Sequence, residues 1–367
     1  MRDDLTDTPT PRARLLAYYL PQYHPIPENN AWWGEGFTEW TNAAKAKSLF
    51  RNHYQPHVPR DLGFYDLRVA ETRAAQAKMA SQHGIEGFCY YHSWFAGKQL
   101  LQKPFEEVLR SGEPDYPFCL CWANETWSGI WHGAPGRILI EQTYPGIADH
   151  QAHFDTLSPA FFDSRYIKVD GKPLFMIYKA ANLPDPRRVT DLWREMALKA
   201  GLPGLYLVGG GGYNWNPVPD GFDAATSYRL PPQHARLSNW NPVNWLAKLK
   251  RKHQQLPTIH THRDALEKFM PLPVEGYINH PTIIHAWDNT PRSGANGQVI
   301  HDADPELYRR CLRKAIEFAN AHPPGENIVF LKSWNEWAEG NHLEPDLRYG
   351  DAFLQVVKQE VTLADRA

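Results

Sequence analysis

The chain has 367 residues, 42% of them hydrophobic, and a formal net charge of −2. That is enough for a full core, and too balanced a charge to favour nucleic acid or an anionic membrane surface. It has no basic stripe, no zinc-finger spacing and no apolar run of the ~18 residues a membrane helix needs, which argues against nucleic-acid binding and membrane insertion.

Met1 to Arg14 is a polar N-terminal segment without an apolar h-region, so no secretory signal peptide is visible and a cytoplasmic location is expected. Short β-rich runs then alternate with helical patterns. The predicted strands are Leu15–Leu20, Gly87–Tyr91, Phe118–Trp122, Leu174–Tyr178, Leu205–Gly209, Ala224–Tyr228, Thr282–Trp287 and Ile328–Trp334. Their near-continuous apolar character suits parallel strands covered on both faces. Predicted helices are Arg68–His83 with Gly84 following, Pro104–Arg110, His150–Phe161, Arg187–Ala200, Pro305–Ala321 and Asp351–Ala364. In Pro305–Ala321 the residues Tyr308, Cys311, Leu312, Ala315, Ile316 and Ala319 recur at helical spacing, behind an Asp304 N-cap and Pro305 at the first position. Cys89, Cys119, Cys121 and Cys311 lack a CxxC signature and read as reduced buried thiols, in keeping with that location.

Eight strands alternating with helices predict an α/β fold of the (β/α)8 TIM-barrel type, a single domain over 15–367 with long loops at the C-terminal face. Two stretches depart from the alternation. One is Pro21–Leu67. The other is Gln233–Val274, where Trp240–His253 reads as a helix and Leu256–Pro273 as a lid or insertion.

In such a barrel the chemistry sits just after the strands. Here the strand ends combine aromatics with polar groups: Pro21-Gln22-Tyr23-His24, Tyr90-Tyr91-His92-Ser93-Trp94, Trp122-Ala123-Asn124-Glu125, Tyr178-Lys179, Trp287-Asp288-Asn289-Thr290 and Trp334-Asn335-Glu336-Trp337-Ala338-Glu339. Rings can stack on sugar C–H faces while polar neighbours take the hydroxyls, and ordinary core packing is the competing explanation. Glu336 and Glu339 stand three apart after the last strand. A turn there either aims both at one substrate, the usual apparatus for a glycosidic bond, or leaves one as a solvated cap. Glu125 is a third acid, with an ion pair as its alternative.

The loop Trp32-Trp33-Gly34-Glu35-Gly36-Phe37-Thr38-Glu39-Trp40 reads as an aromatic platform or as a small satellite core. Gly209–Gly212 could cradle a phosphate but lacks GxGxxG or P-loop form. Asp302-Ala303-Asp304 has the DxD form of some metal-dependent transferases, yet Asp304 is better explained as a helix cap. His260 and His262 have no third ligand at a recognisable spacing.

Taken together, the runs Tyr18–His24, Trp32–Trp40, Gly87–His92, Cys119–Glu125 and Trp334–Gly340 closely resemble the WbsX-type proteins of bacterial polysaccharide gene clusters, relatives of glycoside hydrolase family 99. The resemblance spans Leu15 to Gln359. It implies a (β/α)8 barrel with an open cleft. Family 99 enzymes are retaining endo-α-mannosidases and mannanases that use a Glu-x-x-Glu turn after the last strand. Carried over, Glu336 matches the residue that deprotonates the sugar 2-hydroxyl, and Glu339 the acid/base at the leaving oxygen. The implied intermediate is a 1,2-anhydro sugar, and Glu125 resembles a substrate-binding acid.

The sugar-binding set expected on these grounds is Tyr19, Gln22, His24, Trp33, Glu39, Trp40, Tyr91, His92, Trp122, Asn124, Glu125, Tyr178, Trp287, Asp288, Asn289, Trp334, Asn335 and Trp337. Neither metal nor cofactor is required by that chemistry. Ala338 stands where family 99 commonly has His, and Asn341-His342-Leu343-Glu344-Pro345 is WbsX-like, so mannose specificity does not carry over. The expected partner is a bacterial polysaccharide or oligosaccharide. A glycosyltransferase of surface-polysaccharide synthesis and a non-catalytic sugar-binding barrel are the alternatives. If Glu339 is the acid, burial and an ionised Glu336 should raise its pKa.

Overall fold

A parallel strand covered by helices outside and side chains inside has no face to leave polar. The first strand, β1 (Arg14–Tyr19), is built that way, with Leu15, Leu16, Ala17, Tyr18 and Tyr19 all buried. The computed structural model describes residues 12–129, 137–211, 215–227, 230, 256–269 and 274–362. Its further barrel strands are β2 (Gly87–Phe95), β3 (Phe118–Trp122), β4 (Lys172–Ile177), β5 (Tyr206–Gly210), β6 (Ala224–Ser227), β7 (Ile278–Ile284) and β8 (Ile328–Lys332). Each pairs in parallel with the next. The ring closes where β8 meets β1, with Val329 opposite Leu15 and Leu331 opposite Ala17. This is the expected (β/α)8 barrel, and closure leaves the parallel sheet no edge strand.

The helices of eight or more residues among the described residues are α1 (Ala70–Gln82), α2 (Lys103–Ser111), α3 (Ile147–Phe162), α4 (Pro186–Lys199), α5 (His262–Phe269), α6 (Pro305–Ala319) and α7 (Ala352–Thr362), and two shorter ones, Pro27–Trp33 and Glu39–Lys45, lie in the excursion after β1. In α6, Asp304 caps by accepting from the Glu306 N–H at 2.8 Å, and the residues at helical spacing are buried. Trp193 of α4 lies fully buried on Phe175 of β4, ring on ring at 4.8 Å. Burial of a side chain of this size contributes ~1.5–3 kcal/mol or more. All four cysteines are buried and none is in a disulfide. Among the described residues no helix is long and apolar enough to cross a membrane.

Three boundaries differ from the sequence reading, and each shapes the site. β2 runs on to Phe95 because Lys98–Leu100 folds back on it as an antiparallel hairpin, burying Trp94 and Phe95. His92 is therefore a strand residue. β7 ends at Ile284, so Trp287–Asp288 forms a separate short strand paired with Gln298–His301. Thr258–Thr261 adds a third strand to that small sheet, leading into α5. Part of the expected lid is thus a β-α unit on the rim, while the helix expected at Trp240–His253 lies outside the described residues.

Candidate active site

The ends of β1 to β4 and of β8, with residues of the loops after β6 and β7, line a cleft of about 500 Å³. Its floor is the turn after β8. Asn335–Glu336 pairs antiparallel with Asn341–His342, and between them Trp337–Glu339 makes one 3-10 turn. Glu336 ends the strand as the residue before the turn and Glu339 closes the turn, and both side chains line the cleft. Gly340 ends the turn at φ +55°, and a Cβ there would lie 2.9 Å from Asp288 Cβ. Only glycine both reverses the chain and lets Asp288 approach.

Both carboxyls are almost closed off, at 5% exposure for Glu336 and 8% for Glu339, yet they sit in different fields. Lys332 Nζ lies 3.2 and 3.3 Å from the two Glu336 oxygens. Burial alone would raise the Glu336 pKa, but Lys332, a hydrogen bond from Glu339 and Arg292 hold it below the usual carboxylate range. Glu339 goes the other way. Burial, then the charge of Glu336, push it well above that range, although Arg292 Nη1 donates to its Oε1 at 2.5 Å. The two fields pull the pair apart: Lys332 and Arg292 favour the charged form of Glu336, while burial and the neighbouring Glu336 favour the neutral form of Glu339.

Two cations absent from the expected set hold this arrangement. Lys332 is the last residue of β8 and also donates to the Tyr91 hydroxyl at 3.0 Å. It lies within 6 Å of the Tyr18, Tyr91 and Trp287 rings. Arg292 comes from the short turn Thr290–Ser293 and bridges Glu339 to Glu39, at 2.7 Å from Glu39 Oε1. Asp288 fixes that turn: its Oδ1 accepts from the Thr290 N–H and hydroxyl, its Oδ2 from His53 at 2.7 Å and Gln55 at 2.6 Å. The expectation of a raised Glu339 pKa agrees with this environment.

Of the expected sugar contacts, Gln22, Trp33, Glu39, Tyr91, Glu125, Tyr178, Trp287 and Asn289 line the cleft, with Glu336 and Glu339. Glu125 is half exposed, 3.8 Å from Lys179 Nζ. Trp32 and Trp127 also form the wall.

The others do not line it. Tyr19 donates to Gln76 behind the barrel. His24 lies in a separate hollow beside Arg68 and Lys103. Trp40 donates to the Tyr65 carbonyl and packs on Tyr23 and Trp337, so the Trp32–Trp40 loop is part cleft wall and part satellite core. His92 is paired with His153 beneath α3, and Trp122 is buried against His153 and Trp193. Asn124 clamps Lys179 through both its backbone groups, and Asn335 does the same to Leu20. Trp334 is buried on Phe88, and Trp337 donates to Glu344, whose pKa burial pushes up to about 7. Asp288 supports the turn rather than the cleft. Several of these residues hold the loops that carry the cleft instead of lining it.

The other candidate motifs have structural explanations. Gly209, Gly210 and Gly211 are needed because a Cβ would strike Trp215 or the Tyr178 carbonyl within 2.5 Å; Gly212 lies outside the described residues. Both His262 nitrogens are used, by the His285 carbonyl and the Asp304 N–H.

A closed parallel barrel with an unequal carboxylate pair at the bottom of an aromatic cleft defines an enzyme-like (β/α)8 site. The chain belongs to the family described as glycosyltransferase WbsX, whose pattern it matches over residues 15–357. It is 36% identical over 356 residues to the uncharacterized protein WxcX of Xanthomonas campestris pv. campestris, covering 96% of this chain and 50% of that protein. The chain thus spans about half the length of the curated relatives it matches. Among solved structures it resembles a glycoside hydrolase-like protein at TM-score 0.59 and 16% identity, covering 99% of this chain and 98% of the other. It also resembles the GH99 endo-α-mannosidase of Bacteroides thetaiotaomicron at TM-score 0.57 and 15% identity, covering 96% and 97%. At such identities the likeness is one of fold.

Proposed function

We propose that this chain is a retaining glycoside hydrolase that cuts within a bacterial polysaccharide or oligosaccharide. The observation that carries the reading is the unequal pair on the cleft floor: Glu336 faces Lys332 at 3.2 and 3.3 Å, which favours its charged form, and the adjoining buried Glu339 is pushed toward its neutral form. In the first step Glu336 accepts the proton of the sugar 2-hydroxyl while O2 attacks the anomeric carbon. Glu339 gives its proton to the departing glycosidic oxygen, leaving a 1,2-anhydro sugar. In the second step Glu339 takes a proton from water, the water oxygen attacks the anomeric carbon, and Glu336 returns its proton to O2. Two inversions give net retention. The carboxyls are in hydrogen-bond contact, far closer than the ~6.5–9.5 Å that an inverting pair needs to admit water.

Trp33, Trp287, Tyr91 and Tyr178 supply ring faces in the cleft, and Gln22, Glu39, Asn289 and Glu125 supply polar groups. A volume of about 500 Å³ falls among small-molecule sites of ~300–1,000 Å³ and admits more than one sugar ring, which suits cutting inside a chain.

The family's description favours a second reading, a glycosyltransferase. A nucleotide-sugar donor needs a diphosphate site, and Gly209–Gly211 and Asp304 are occupied by packing and capping. Wild type and Glu339→Gln are incubated with a panel of bacterial polysaccharides and α-mannans, and products are read by mass spectrometry. New oligosaccharides from wild type alone are expected. No cleavage of any glycan, with turnover only on adding a nucleotide-sugar or lipid-linked donor, would replace hydrolysis with transfer.

A further inference from the structure

We propose that His57, His342 and Asp346 form a structural site for a divalent first-row transition ion, Zn2+ in the first instance, behind the carboxylate turn. The three side chains come from the long loop after β1 and from the run that follows Gly340, and all are buried. His57 Nδ1 lies 2.8 Å from His342 Nε2, and Asp346 Oδ2 lies 4.0 and 3.9 Å from those two nitrogens. The point in their plane equidistant from the three atoms lies about 2.1 Å from each, within the ~2.0–2.2 Å at which Zn2+ holds imidazole nitrogen and carboxylate oxygen.

The surroundings orient each donor. His342 Nδ1 donates to the Glu344 carbonyl at 2.9 Å, which leaves Nε2 as a lone pair aimed at the cluster. Its ring stacks on Trp337 at 3.7 Å. Asp346 Oδ1 accepts the N–H groups of Arg348 and Tyr349 at 2.9 and 2.6 Å, which turns Oδ2 toward the histidines. Outer hydrogen bonds of this kind are what fix metal-ligand histidines and carboxylates. Without an ion, His57 Nδ1–H donates to His342 Nε2. With one, His57 carries its proton on Nε2, and both facing nitrogens give lone pairs.

None of the three residues lines the cleft, so the ion does not touch substrate. It ties the first loop to the segment that closes the Glu336–Glu339 turn, and it does so whatever reaction the cleft performs.

The test uses the full chain without a histidine tag. After chelator treatment it is titrated with Co2+, then with Zn2+, following visible absorption and Tm. The X-ray absorption edge of the Zn2+-loaded protein is then measured. About one equivalent per chain is expected, with a Co2+ band and a Tm raised by Zn2+. His57→Gln and Asp346→Asn should each abolish the uptake. The edge spectrum should show two imidazoles, a readout that holds even if a variant fails to fold. No stoichiometric uptake with an unmoved Tm would reduce the cluster to a histidine–histidine hydrogen bond. Equal uptake by His57→Gln, or a site with fewer than two imidazoles, would place the ion elsewhere and overturn the proposal.

Discussion

Replacing Lys332 by Met tests what makes the two carboxyls unequal. The substitution removes the ammonium that sits 3.2 and 3.3 Å from the Glu336 oxygens. This cation favours the charged form of Glu336 over that of Glu339. At such a distance the Coulomb attraction is about 5 kcal/mol at an effective dielectric of about 20. Arg292 remains, facing both carboxyls, so the net loss is nearer the ~2–3 kcal/mol of a charge-assisted hydrogen bond. That shifts the ratio of the two proton arrangements by roughly 30- to 150-fold, toward the one with the proton on Glu336. The rate on the cognate glycan should fall by about 10²-fold. The acid limb of the pH–rate profile should move to higher pH. Lys332 lowers the Glu336 pKa, so its removal raises it, and on acidification Glu336 takes up its proton sooner. Folding should survive, because Met fills most of the volume and Glu336 can become neutral. A substrate-free check is the 13C titration of glutamate-labelled protein, with Glu336→Gln assigning the signal. A variant whose acid limb and Glu336 signal both titrate as in wild type refutes the reasoning.

Glu336→Gln and Glu339→Gln should each cost at least ~10²-fold in rate yet differ in urea unfolding. Gln at 339 replaces a neutral acid and can still accept from Arg292, leaving stability within ~0.5 kcal/mol. Gln at 336 removes a carboxylate facing buried Lys332 and should cost ~1–3 kcal/mol. The wild-type pH–rate profile should be a bell: its alkaline limb is loss of the Glu339 proton, its acid limb protonation of Glu336, and a missing limb counts against the pair. Trp33→Ala should raise KM with little change in Tm, whereas Trp122→Ala, beneath the cleft, should lose ~3–5 kcal/mol. Gly340→Ala should cost ~2–3 kcal/mol by differential scanning, from the left-handed φ and the clash with Asp288.

The barrel was legible because parallel strands buried on both faces read as apolar runs, and all eight runs are barrel strands. The Asp304 cap and the periodicity of α6 were equally local signals. What was not legible follows from position at a strand end saying nothing about direction. Asn124 and Asn335 resemble sugar-binding amides in sequence, but each faces a backbone it must satisfy, Lys179 in one case and Leu20 in the other. Trp122 and Trp334 stand in aromatic-plus-polar motifs of the same kind as those of Trp33 and Trp287, yet they point into the packed layer. The length of β2 could not be read either, since it depends on a hairpin partner, Lys98–Leu100, that is only three residues long.

The protonation of the Glu-x-x-Glu pair was legible only in outline. Spacing places the two acids at either end of one short turn, and contact between them raises one pKa at the expense of the other. Symmetry between them is broken by groups far away in sequence or of no apparent note. Arg292 stands two residues beyond the Trp287-Asp288-Asn289-Thr290 motif, in a turn held by Asp288, which is held in turn by His53 and Gln55 from the loop after β1. Lys332 did leave a trace: it is the one charge in the strand Ile328-Val329-Phe330-Leu331-Lys332, and a lysine closed off at the end of such a strand must face an anion. The carboxylate it faces is the fourth residue on. A buried lysine four residues before a glutamate favours the charged form of that glutamate, Glu336, and leaves Glu339 as the member of the pair whose neutral form is favoured.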